Sequence, residues 1–220
     1  MKRPQKISWL LDLVLFLGSS TSSFSQAIKD FFNNTSTPLT YLGIDYSKNR
    51  LINDPGGNAS DIKNRLYASM NDVVIAEMPK NYNIAGAFDR TGDVSSDIAA
   101  VTARNEKINT ADIMSSNTGD FNRLTEADIA AEVKALQLKD KAGVGLVFIM
   151  EAMKKEEKKS YGAVWVVLVD MKSKKVLMAE RMEQEAAGFG FRNFWVSIIK
   201  KSLTEISKKK YDAWKSKYAG

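Results

Sequence analysis

Residues 143–184 read GVGLVFIMEAMKKEEKKSYGAVWVVLVDMKSKKVLMAERMEQ, three largely apolar runs broken by two short polar connections. The first, GVGLVFIMEAM (143–153), is apolar on both faces at its centre and reads as a strand. KKEEKKS (154–160) is a charged loop. YGAVWVVLVD (161–170) is a second strand, again apolar on both faces, and MKSKK (171–175) is a tight turn. In VLMAERMEQ (176–184), Val176, Met178 and Met182 alternate with more polar positions, the period of a third strand. Connections this short force an antiparallel meander. A strand apolar on both faces must be covered on both, so the sheet needs helices or other layers on each side.

Outward from the meander, the elements alternate. After it, AAGFGFRNFWVSIIKKSL (186–203) leads into a helix over roughly 191–210, whose stripe runs through Phe191, Phe194, Trp195, Ile198, Ile199, Leu203 and Ile206. Before it, TEADIAAEVKALQL (125–138) is a helix with Thr125 as N-cap and an acidic first turn. Earlier still, DIKNRLYASMNDVVIAE (61–77) places Ile62, Leu66, Met70, Val73 and Val74 on one helical face, with Ser60 or Asp61 as N-cap and Pro79 beyond its end. LTYLGIDYSKNRLI (39–52) reads as a first strand, NDPGGNASD (53–61) as a turn cluster, and NYNIAGAF (81–88) as a further strand. DVSSDIAAVTARNEKI (93–108) fits either a strand or a short helix. The expected fold is a single α/β or α+β domain over 39–210, a mixed sheet of about five strands packed by three main helices.

The ends carry different signals. Lys2, Arg3 and Lys6 precede the apolar ISWLLDLVLFLG (7–18), followed by the small-residue SSTSSFS (19–25), the pattern of a secretory signal peptide over 1–25 cleaved near Ser25 or Gln26. Asp12 interrupts the apolar run, which is shorter than the roughly 20 residues of a membrane span. Residues 26–38 read as a polar linker and 211–220 as a basic tail. The net charge is +6; removing 1–25 takes away three positive charges and one negative, leaving +4, and the lysines of 200–217 hold most of it. The expected location is therefore periplasmic or secreted.

The chain has no histidine and no cysteine. That excludes Ser-His-Asp and Cys-His catalysis, His/Cys zinc sites, disulfides and cysteine lipidation. An enzyme would depend on carboxylates, Lys, Tyr, Ser or Thr.

The stretch GVGLVFIMEAM…YGAVWVVLVDMKSKKVLMAE…FWVSIIKKSL resembles an envelope α/β domain. It is shared by the curli-secretion lipoprotein CsgG, the TolB N-terminal domain and the lipoprotein activators of penicillin-binding proteins. The match rests on Asp170 ending a strand, the Lys174-Lys175 turn, the Val176-Leu177 strand and the closing amphipathic helix, over roughly 40–207. The resemblance implies a periplasmic binding or assembly module with no catalytic residue. It departs from the lipoproteins in having no cysteine to acylate.

GFGFRNFW (188–195) raises the question of a phosphate cradle. A P-loop needs G-x-x-x-x-G-K-[ST]; a dinucleotide fingerprint needs a third glycine, where this chain has Asn193. Gly188 and Gly190 read instead as a strand-to-helix turn with Asn193 helping to cap the helix, and no cofactor is expected. Asp89, Asp93 and Asp97 lack EF-hand spacing and read as solvated loop. The candidate partner contacts are Phe189, Phe191, Arg192 and Trp195, with Lys208, Lys209, Lys210 and Trp214 at the basic end. The expected partner is another envelope protein, with an anionic membrane surface as a second contact for the basic end and no nucleic acid. The leading function is non-catalytic binding or assembly. Its alternatives are a carboxylate-based hydrolase of an envelope polymer and a peripheral membrane protein held by its N-terminus or basic C-terminal end.

Overall fold

The computed structural model describes residues 19–220, with side chains from Gln26 onward. The charged and apolar parts of the expected signal peptide lie outside the described residues. Seven strands form one sheet: β1 (Leu39–Asp45), β2 (Arg50–Ile52), β3 (Ser95–Ser96), β4 (Met114–Ser115), β5 (Val144–Lys155), β6 (Ser160–Asp170) and β7 (Lys175–Glu185). The helices are α1 (Ser19–Asn33), α2 (Ala59–Asp61), α3 (Tyr67–Ala76), α4 (Ile84–Ala87), α5 (Ala99–Asn105), α6 (Glu126–Ala135), α7 (Phe191–Glu205) and α8 (Tyr211–Ala219). A π-helical turn, Ile62–Leu66, joins α2 to α3, and another, Ile206–Lys210, joins α7 to α8.

β5 is the spine. β6 pairs antiparallel along its whole length and β7 pairs antiparallel with β6, so the expected meander is present. On β5's other edge, β1 runs parallel to its first half and β2 parallel to its second. β3 and β4 extend these two strands by short parallel pairs. The sheet is thus mixed, and longer than the expected five strands because two-residue strands carry too little pattern to read. The single strand expected over 39–52 is two, split by the turn at 46–49.

Both faces of β5 are covered, as its apolar pattern requires. One face carries Leu146, Phe148, Met150 and Met153 under α1, α3, α7 and α8. The other carries Val147 and Ile149 with Trp165 and Val167 of β6, under α5 and α6. The register shifts between Met150 and Ala152, which lets Met150 and Met153 share a face and turns Glu151 to the other.

Three readings are corrected. Residues 26–38 are not a linker up to Asn33: they continue α1, and Ile28, Phe31 and Phe32 at i, i+3 and i+4 enter the core. Residues 211–220 are not a tail: α8 buries Tyr211 and Trp214, and Phe32 stacks on Tyr218 with ring centroids 6.2 Å apart. NYNIAGAF forms the short helix α4, capped by Asn83, whose side chain accepts from Gly86 N. Arg90 ties these pieces together. It donates to the carbonyls of Phe31, Asn34 and Phe88 and to the Tyr211 hydroxyl.

Candidate functional site

The β7–α7 connection is pinned at its base and free at its tip. Ala186 N donates to Ser160 O (2.8 Å), and Ala187 N donates to the Ser197 hydroxyl (2.9 Å). Gly188 (φ 125°) and Gly190 (φ 73°) then take left-handed backbone on either side of Phe189. A side chain at 188 would also crowd Asn193 O, 3.1 Å from its Cβ. This backbone path lifts Phe189 clear of the fold: it is 93% exposed, the one exposed large hydrophobic among the described residues. Gly190 is also the N-cap of α7, and no side chain caps that helix. Asn193, expected as a cap, instead accepts from Arg192 Nε at 3.0 Å.

The loop does not stand alone. It forms one wall of a groove of about 510 Å³ whose other wall is the 54–58 turn and the π-helical segment at 62–66. NDPGGNASD and GFGFRNFW, far apart in sequence, meet there. Asn58 caps α2, accepting from Asp61 N at 3.0 Å, in place of the expected Ser60 or Asp61. Two of the groove's cations are neutralised. Lys155 pairs with the buried Asp54 carboxylate at 2.9 Å, and Arg65 grips Asp61 through two bonds of 2.8 and 2.7 Å. The Arg65 guanidinium holds the Asp61 carboxyl below its ordinary range. Arg192 is exposed and has no acidic partner among the described residues. The surface offers an aromatic ring, one guanidinium with no acidic partner among the described residues and a polar trough.

The other candidate residues divide. Phe191 is half-buried and Trp195 is core, 1% exposed, with its ring edge-on to Phe194 at 5.0 Å. Trp214 is core as well, 4% exposed. Both tryptophans lie on the inward stripe of their helix, where a large apolar ring contributes most when removed from water. Neither presents a contact surface. Lys208 and Lys209 are exposed on the outer side of the π-helical turn, while Lys210 pairs with Glu205 at 3.6 Å.

The buried carboxylates are paired within the fold. Asp45 at the end of β1 lies 3.2 Å from Arg104 Nε, and Arg104 also pairs with Glu132 of α6, itself 3.3 Å from Lys48. Asp97 pairs with Lys141, whose hydrogen bond lowers the carboxyl's pKa; Asp89 and Asp93 are exposed. Among the described residues no three acidic side chains converge as a metal site. Sequence reading missed the groove because its walls come from two connections whose proximity depends on the whole sheet.

No family model and no curated protein matches the chain. Among solved structures, the LpoB C-terminal domain from Salmonella enterica is loosely similar. It is 8% identical, covering 73% of this chain and 97% of that one, at a TM-score of 0.25. A superposition of that quality carries no argument about function.

Proposed function

We propose that this protein is a non-catalytic binding or assembly module of the cell envelope, exported to the periplasm or secreted, which contacts another envelope protein through the Phe189 loop. The observation that carries the reading is Phe189 itself. An exposed aromatic held outward by two left-handed glycines is a standing cost in water that binding removes. Aromatic and arginine side chains are the common anchors of protein interfaces, and Arg192 lines the same groove as Phe189 with no acidic partner among the described residues. The N-terminal pattern of residues 1–25 supports export. The resemblance of residues 40–207 to envelope modules supports the location.

The test is a photo-crosslinking residue placed at position 189 in the full chain in cells, with the exposed Ala213 of α8 as control site. One crosslinked envelope protein at 189 and none at 213 is expected. No adduct at 189, or the same adducts at both sites, would contradict the assignment.

A further inference from the structure

A second groove, of about 520 Å³, opens at the opposite end of the meander from Phe189. It lies between the segment 137–142 after α6 and the turn joining β6 to β7. Lys139, Lys141, Lys172 and Lys174 stand around it, and Asp140 is its one lining acid. Lys141 is neutralised by Asp97. The nearby Asp170 accepts from the Ser173 amide and hydroxyl, at 2.7 and 2.9 Å, and so closes the turn. Lys139, Lys172 and Lys174 have no ion pair or hydrogen bond among the described residues.

Two of the four left-handed non-glycine residues among the described residues lie at this groove, the others being Asn53 and Asp89. Lys174 (φ 55°) and Asp140 (φ 51°) both lie in the left-handed region, where a glycine or asparagine sits with less strain. A turn needed only to reverse the chain is better served by glycine at 174. Strained positions concentrate where a side chain has a task, and here the strained residue supplies one of three uncommitted cations.

We propose that this groove is a contact site for phosphate-bearing anions, and specifically for the anionic phospholipid surface of a bilayer. Its cations are all lysines on loops, point charges on flexible stems that follow charge density rather than shape. No arginine fork lines the groove, so an array of phosphates suits it better than one small anion. β5 has 12 residues, which at ~3.3 Å each separates the two grooves by about 40 Å. A bilayer at the lysine end therefore leaves the Phe189 loop facing away from it. The inference does not depend on the partner reading of that loop.

The experiment is flotation of the full chain with vesicles of phosphatidylglycerol and phosphatidylcholine, against phosphatidylcholine alone. The variants are Lys172→Ser with Lys139→Ser and Lys174→Gly, Lys174→Gly alone, and a control with Lys208→Ser and Lys209→Ser. The residues before the fold are the same in all of them. The triple variant should bind anionic vesicles about a hundredfold more weakly, and Lys174→Gly about fivefold more weakly with a melting temperature no lower than wild type. The control should bind like wild type, and raised salt should erase the differences. The proposal is overturned by equal binding of wild type and triple variant, by no preference of wild type for anionic vesicles, or by loss that follows Lys208 and Lys209. It is equally overturned if inorganic phosphate at low concentration, or a short RNA duplex, binds the lysine site while the vesicles do not.

Discussion

Glu151 is fully buried in the central strand, and both of its carboxylate oxygens are hydrogen-bonded. Its Oε1 accepts from the amides of Arg123 and Leu124 at 2.6 Å each; its Oε2 accepts from Arg181 Nε at 2.7 Å and Trp165 Nε1 at 3.2 Å. The carboxylate fastens the segment before α6 to the sheet. Glu151→Ala should destabilise the protein by about 3–5 kcal/mol in denaturant unfolding, because it leaves the Trp165 indole N–H, the Arg181 Nε and two amides without an acceptor, although Arg181 keeps Glu183 and the Phe121 carbonyl. A second residue-scale consequence concerns Tyr41, Tyr46 and Tyr67, whose phenols burial pushes well above their ordinary value of 10.0. In the unfolded chain these phenols ionise near pH 10, while in the fold they keep their protons. The stability they contribute is therefore present below pH 10 and lost as pH rises above it. Alkaline titration followed at the tyrosinate absorbance should show these three ionising only with unfolding, and stability falling above pH 10. At this scale the sequence is a poor guide: Glu151 stands out within an apolar run, but its four donors come from three separate segments.

At the scale of elements, periodicity was a good guide wherever an element is long. β5, β6, β7, α6 and the start of α7 follow from apolar spacing, and the Thr125 cap closes a capping box with Asp128. α1 and α8 escaped because each buries only a few residues, among polar neighbours that resemble a linker or a tail. Their apolar residues are Ile28, Phe31 and Phe32 on one and Tyr211 and Trp214 on the other, and each set is covered chiefly by the opposite end of the chain. A close helix-to-sheet approach is also hidden from periodicity. Gly162 of β6 lies under Ile198 of α7, and a Cβ at 162 would come within 1.9 Å of Ile198 Cδ1. Gly162→Ala should push α7 off the sheet and cost about 1–3 kcal/mol, read as a lower melting temperature. Gly162→Ala combined with Ile198→Val should recover part of that loss.

Across the whole molecule, β5 sets the distance between two unlike ends: an aromatic loop with a polar trough at one, and a lysine-lined groove at the other. The mixed α/β class was legible from the sequence, since buried strands and amphipathic helices alternate along it. The pairing of the 54–58 turn with the 188–192 loop was not, because it arises only when β2 and β7 take their places on opposite sides of β5 and β6. The most direct test of the account is a capture of envelope proteins from cells by full-length wild type and by Phe189→Ala, with the stability of each measured alongside. Phe189 touches no core, so the variant should unfold within about 0.5 kcal/mol of wild type while losing the one partner that wild type retains. Equal capture by both proteins, at equal stability, would contradict the claim that this loop is the binding surface.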